Sequence, residues 1–205
     1  GISLPLLMTM GYQRLADDST RIAVSTKQLE YLARAEKYAQ QAIAYNHQIT
    51  GLMNYRLGMA YQELQLNNDA FDYYQLALQA GNLRTRLMAD LLLRIATYYE
   101  GIGKSGEAVD YVQRVLEMNP ERLPAEVTAK ANFQMGMNLW QLDQDLRVVR
   151  SYLEKSLLLK YNPMTLDRYL KLISTLRDQG GEENLQHAIE MAIFATEVQP
   201  DSTWT

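Results

Sequence analysis

Apolar or small residues recur five times at offsets i, i+3, i+4 and i+7. The sets are Ala35/Tyr38/Ala39/Ala42, Ala70/Tyr73/Tyr74/Ala77, Ala108/Tyr111/Val112/Val115, Val149/Tyr152/Leu153/Ser156 and Ala188/Met191/Ala192/Ala195. Those offsets place four side chains on one face of an α-helix. The leading residues lie 35, 38, 41 and 39 positions apart, so the pattern is an internal repeat. Small residues at both ends of each stripe let a neighbouring helix come close. A second stripe precedes four of the five: Asn54/Leu57/Gly58/Tyr61, Leu92/Ile95/Ala96/Tyr99, Asn132/Met135/Gly136/Leu139 and Tyr169/Leu172/Ile173/Leu176. Each unit therefore reads as two amphipathic helices and a short turn. Breakers mark the turns within units at Asn67-Asn68, Gly101 to Gly106, Asp143 to Asp145 and Gly180-Gly181. Gly81-Asn82, Asn119-Pro120 and Asn162-Pro163 separate the units, where proline ends a helix because it lacks an amide donor. No segment alternates like a strand. One helical pair cannot bury its stripe alone, so the pairs are expected to stack into a superhelical array with a concave surface.

The chain's 205 residues suffice for one domain or a short repeat array. The absence of Cys excludes disulfides, thiolate metal sites and a cysteine nucleophile. His47 and His187 are too few for a histidine metal cluster. A net charge of −4 argues against general nucleic-acid binding. No run of 18 apolar residues spans a membrane. Gly1 in place of an initiator Met, and an ending at Asp201 to Thr205 where a further helix could start, suggest a processed protein or a piece of a larger one. The missing Cys and the apolar start lean toward the periplasmic side of a bacterial cell envelope, with the cytoplasm as the alternative.

Within this pattern the central segments resemble the tetratricopeptide repeat family. Residues 51–84 match its pattern at Leu57, Gly58, Tyr61, Ala70, Tyr74 and Ala77, and residues 89–122 at Ala96, Tyr99, Ala108 and Pro120. Residues 129–163 match at Gly136 and Pro163, and residues 165–200 at Ala188, Ala195 and Pro200. The resemblance implies an all-α, right-handed superhelix (α-solenoid) of about five antiparallel helix pairs over residues 27–200. A segment at 1–26, with a possible helix around Met8 to Ala16 and a polar loop over Asp17 to Thr26, would precede it. Residues 201–205 would be a tail or the start of a further helix.

The resemblance also implies where a partner docks. First helices line the family's groove, and the positions off the packing stripe here are Tyr55, Met59 and Gln62, then Leu93, Thr97 and Glu100, then Phe133, Met137 and Trp140. Aromatic and Met side chains suit a peptide segment of a protein partner; the competing reading packs these aromatics between repeats. Some family members clamp a C-terminal carboxylate. The corresponding positions are Leu52 and Arg56, Asp90 and Arg94, Lys130 and Gln134, of which only Lys130 has the family's residue type. Arg56 and Arg94 remain able to meet an acidic partner, and Arg84 and Arg86 extend that basic group.

Signals for chemistry are weaker. Gly101-Ile102-Gly103-Lys104-Ser105-Gly106 spells a nucleotide-loop pattern, but such loops need a strand before them and Ala89 to Glu100 reads as helix. A turn with Gly at positive φ and Ser105 as an N-cap fits better. His187/Glu190, Glu182-Glu183 and Asp143/Asp145 read as surface groups. The expectation is a non-catalytic protein-interaction scaffold without cofactor or metal, with its end helices as a dimerisation surface. The alternatives are a regulatory or anchoring domain of a larger protein, a membrane-bound one among the options, and a nucleotide-binding enzyme using residues 101–106.

Overall fold

The computed structural model describes residues 3–199. Pro200 and the expected tail at 201–205 lie outside the described residues. Ten α-helices fill the described chain, and no strand occurs among those residues. They are α1 (Leu4–Thr26), α2 (Glu30–Tyr45), α3 (Thr50–Glu63), α4 (Asn67–Ala80), α5 (Thr85–Gly101), α6 (Ser105–Leu116), α7 (Ala125–Gln141), α8 (Leu146–Leu159), α9 (Pro163–Gln179) and α10 (Glu182–Glu197). The chain forms two compact units, one up to Tyr98 and one from Tyr99 onward, with the boundary inside α5.

In the first unit α1 packs on α2 and α3 on α4. The sequence stripes form the contact. Ala35, Ala39 and Ala42 are buried with Met53, Leu57 and Ala16 in one cluster. Alanine there lets helix backbones approach closely, which larger side chains would prevent. Gly58 does the same between α3 and α4, because a Cβ there would stand 2.5 Å from the Tyr74 ring. The polar loop expected over Asp17 to Thr26 is instead the second half of α1. Its polar letters conceal a stripe, Ala16, Ser19 and Ala23, which α1 buries. Ala23 meets Leu32 and Ala60 in a second cluster.

In the second unit α7 packs on α6 and α8, and α9 on α8 and α10. Val149, Leu153, Tyr169, Leu172 and Met191 are buried in one cluster. Pro163 opens α9, and the Asn162 side chain caps it by accepting from Met164 N at 2.9 Å. The Asp145 side chain caps α8 through Arg147 N at 2.9 Å.

Two turn details differ from expectation. Asn67 and Asn68 lie in the first turn of α4, and the chain reverses one step earlier, with Gln65 at φ +63°. Ser105 is the first residue of α6 rather than its N-cap; Lys104 occupies that position without a side-chain cap. Gly103 does take a positive φ, +74°, as the turn requires.

Candidate functional site

In the first unit the expected groove positions divide between core and ion pairs. Tyr55 is 6% exposed and Leu93 1% exposed, so neither presents a surface. Tyr55 Oη donates to Asp90 Oδ2 at 2.6 Å. Burial, with Asp90 beside it, pushes the phenol well above its ordinary value. Arg94 Nε reaches the same Asp90 oxygen at 2.5 Å, and Arg94 Nη1 reaches Gln62 Oε1 at 2.6 Å. Tyr74 Oη also donates to that Gln62 oxygen, at 2.7 Å, and burial pushes its phenol up to about 12. Burial opposes the Arg94 charge, but Asp90 outweighs it and holds the guanidinium protonated. Arg94 and Gln62 thus tie α3, α4 and α5 together rather than await a partner.

Arg56 is likewise engaged. Its Nη1 donates to Asp17 Oδ1 at 2.9 Å and Oδ2 at 2.7 Å. The chain supplies its own carboxylate, from α1, to the cation left open for an acidic partner. Met59 lines a 570 Å³ cleft beside that pair, between Thr20 and Val24 of α1 and Glu63 of α3. Thr97 is exposed, and its hydroxyl donates to Leu93 O at 2.9 Å.

In the second unit Phe133, Met137 and Trp140 are partly buried against the α8–α10 core cluster, so they serve the packing between helices. Met137 also lines a larger cleft, of 770 Å³, between the α5–α6 turn and α7. Glu100, from the last turn of α5, stands in it. Asn138 Nδ2 donates to Glu100 Oε1 at 2.6 Å, and Gln134 Nε2 to Oε2 at 3.4 Å. Burial raises the pKa of this carboxyl despite those amides and the charge of Lys130. Lys130 itself is exposed on α7. The structure therefore joins Glu100 and Met137 in one cleft and assigns Tyr55, Leu93, Phe133 and Trp140 wholly or partly to packing.

Several lining residues escaped the sequence reading: Gly106, Glu107, Asn138, Gln141 and Leu142. Gly106 and Glu107 belong to the turn into α6, which closes the cleft on one side, while Asn138, Gln141 and Leu142 lie at the C-terminal end of α7 beyond the expected groove positions. Gly106 lies in the first turn of α6 without a positive φ, and a Cβ there would meet nothing within 4 Å.

The glycine-rich turn joins two helices, so the strand that a phosphate loop needs is replaced by α5. His187 Nδ1 lies 3.2 Å from Arg150 Nη1, and Arg147 pairs with Glu183 at 3.0 Å, so these surface groups answer one another. Among the described residues no three His, Asp or Glu side chains gather to hold a metal, and no helix is long and apolar enough to cross a membrane.

The tetratricopeptide repeat family model matches residues 89–122, which span α5 and α6. No curated protein matches the sequence significantly. Solved structures do. The MamA protein is 18% identical, covering 93% of this chain and 91% of its own, with a TM-score of 0.65. YrrB, described as a TPR protein with an unusual peptide-binding site, is 23% identical over 89% of this chain and 84% of its own, with a TM-score of 0.59. The pilF protein of Pseudomonas aeruginosa is 16% identical over 93% and 79%, also with a TM-score of 0.59. At these identities the likeness is one of fold. With a matched repeat at residues 89–122, stacked helices on either side of it and that likeness along most of its length, the chain is a TPR-like helical repeat protein.

Proposed function

We propose that this protein is a non-catalytic scaffold that docks a peptide segment of a partner in the second unit's cleft. The observation that carries the reading is the 770 Å³ cleft itself. It combines apolar wall, Met137 and Leu142, with inward hydrogen-bonding groups, Glu100, Asn138 and Gln141. A concavity with an apolar lining and a few fixed polar groups is how proteins hold extended ligands. Tetratricopeptide repeat proteins generally act as scaffolds, and YrrB has a peptide-binding site.

The test is a selection of displayed random dodecapeptides on the full chain. Wild type is expected to enrich a related set of sequences. Leu142→Glu, which places a charge on an exposed wall residue, is expected to weaken the enriched peptides at least about tenfold. Unchanged helical circular dichroism would show that the variant is folded. Enriched peptides that bind Leu142→Glu as well as wild type move the site elsewhere.

A second reading concerns assembly. On α10, Leu185, Ile189 and Ile193 are 44%, 57% and 55% exposed, opposite the buried Ala188, Met191 and Ala195. A helix with two apolar faces favours a covering partner, and a second copy of the chain is the simplest.

A further inference from the structure

We propose that Glu100 is the anchor for a basic side chain, lysine or arginine, of the peptide docked in the second unit's cleft. This rests on the peptide-docking reading above and specifies its ligand. Three charged side chains line the cleft: Glu100, Lys104 and Glu107. Lys104 Nζ, at the N-cap position, pairs with Glu107 Oε1 in the first turn of α6 at 3.6 Å. Glu100 has no ion-pair partner in the lining, and the charge of Lys130 on α7 offsets it only in part. Amides, not cations, hold its two oxygens: Asn138 at 2.6 Å and Gln134 at 3.4 Å. Among the described residues no lysine or arginine forms an ion pair with it. A carboxylate taken partly out of water, hydrogen-bonded by neutral donors and helped only from a distance by Lys130, gains from a cation brought into contact. Burial raises its pKa although the amides and Lys130 oppose that shift.

The walls suit the stem as the floor suits the head. Lysine and arginine carry three or four methylenes that lie along apolar surface while the charged end finds a polar partner. Met137 and Leu142 supply that surface beside Glu100.

Gly106 is the independent observation. Glycine in a helix is less favourable than alanine. Here the fold does not ask for it: its φ is ordinary and the space over it is open. That open space belongs to the cleft, which Gly106 lines. A side chain there would narrow the entrance from the α6 side.

The peptide selection described above, run on the full chain, decides the matter. Wild type is expected to enrich dodecapeptides with Lys or Arg at a constant spacing from an apolar residue. A synthetic copy of the leading peptide is expected to bind Glu100→Gln about tenfold more weakly than wild type. The same peptide with its basic residue replaced by Gln is expected to distinguish the two proteins by less than about twofold, closing a double-mutant cycle. Gly106→Ala is expected to weaken the basic peptide several-fold while its thermal midpoint rises, so the loss is not a folding defect. Enrichment without a basic position, or equal losses for both peptides on Glu100→Gln, overturns the anchor and leaves peptide docking standing. No enrichment at all overturns both.

Discussion

Glycine at Gly58 and glycine at Gly106 both sit in helices, yet they answer to opposite demands. At Gly58 a methyl group would stand 2.5 and 2.6 Å from two Tyr74 ring carbons and 3.1 Å from the Ala70 carbonyl oxygen. Tyr74 cannot retreat. It is 2% exposed, and its hydroxyl is held by Gln62. Alanine has the better helix propensity by about 1 kcal/mol, but overpacking a fixed ring costs about 1–3 kcal/mol. Gly58→Ala is therefore expected to lose up to about 2 kcal/mol net in urea unfolding, although propensity alone predicts a gain. A gain would mean that α3 and α4 separate more easily than the ring contact implies. Ion pairs at this scale were the harder part to read. Arg56 and Arg94 are correctly placed on first helices by their spacing, and the i, i+4 spacing also pairs Arg94 with Asp90 in the preceding turn of α5. Spacing along one helix says nothing of Asp17, which reaches Arg56 from α1.

At the scale of elements, the 3.6-residue period carried most of the fold. Stripes such as Ala70/Tyr74/Ala77 and Ala108/Val112/Val115 are buried, whereas Ala192 of the last stripe is exposed. The second half of α1 escaped because its buried face is written in small and polar letters. Asp17, Asp18, Thr20 and Arg21 surround Ala16, Ser19 and Ala23, and hydropathy sees only the majority. Burial there depends on α2 and α3 providing a surface, which local sequence does not reveal. Proline separates helix from loop experimentally. Thr20 lies mid-helix, so Thr20→Pro removes a backbone bond and sets its ring against the preceding turn, at a cost of about 3 kcal/mol. A polar loop at the same place would absorb proline almost without loss. Urea unfolding of this single variant is expected to show the large loss, with the helical dichroism reduced. The candidate cleft was half legible for a related reason. Glu100 and Met137 follow from first-helix positions, whereas Gly106 and Glu107 enter through the closure of a turn, and Asn138, beside Met137 on α7, is buried on the packing side of that helix.

For the whole chain, the outer face of α10 sets the problem. Repeat arrays bury each helix pair against the next, so an apolar outer face of a pair calls for a cover. Leu185, Ile189 and Ile193 give α10 neither a polar face nor, among the described residues, a cover. Their i, i+4 spacing keeps them on one line of the helix surface. Burying an isoleucine side chain is worth about 1.5–3 kcal/mol, so two of them suffice to hold a modest dimer together. Wild type is expected to sediment with a concentration-dependent shift from monomer toward dimer. Ile189→Lys/Ile193→Lys is expected to weaken that association about tenfold or more while the thermal midpoint changes little. The second expectation follows from the exposure of both residues, since the core side of α10 is Ala188, Met191 and Ala195. A wild type that stays monomeric at every concentration removes the second copy as the cover and leaves another protein or further chain for that role. A dimer that survives the double substitution places the contact elsewhere. The apolar end of α1, where Leu4, Leu7 and Met10 are also exposed, is then the next surface to change.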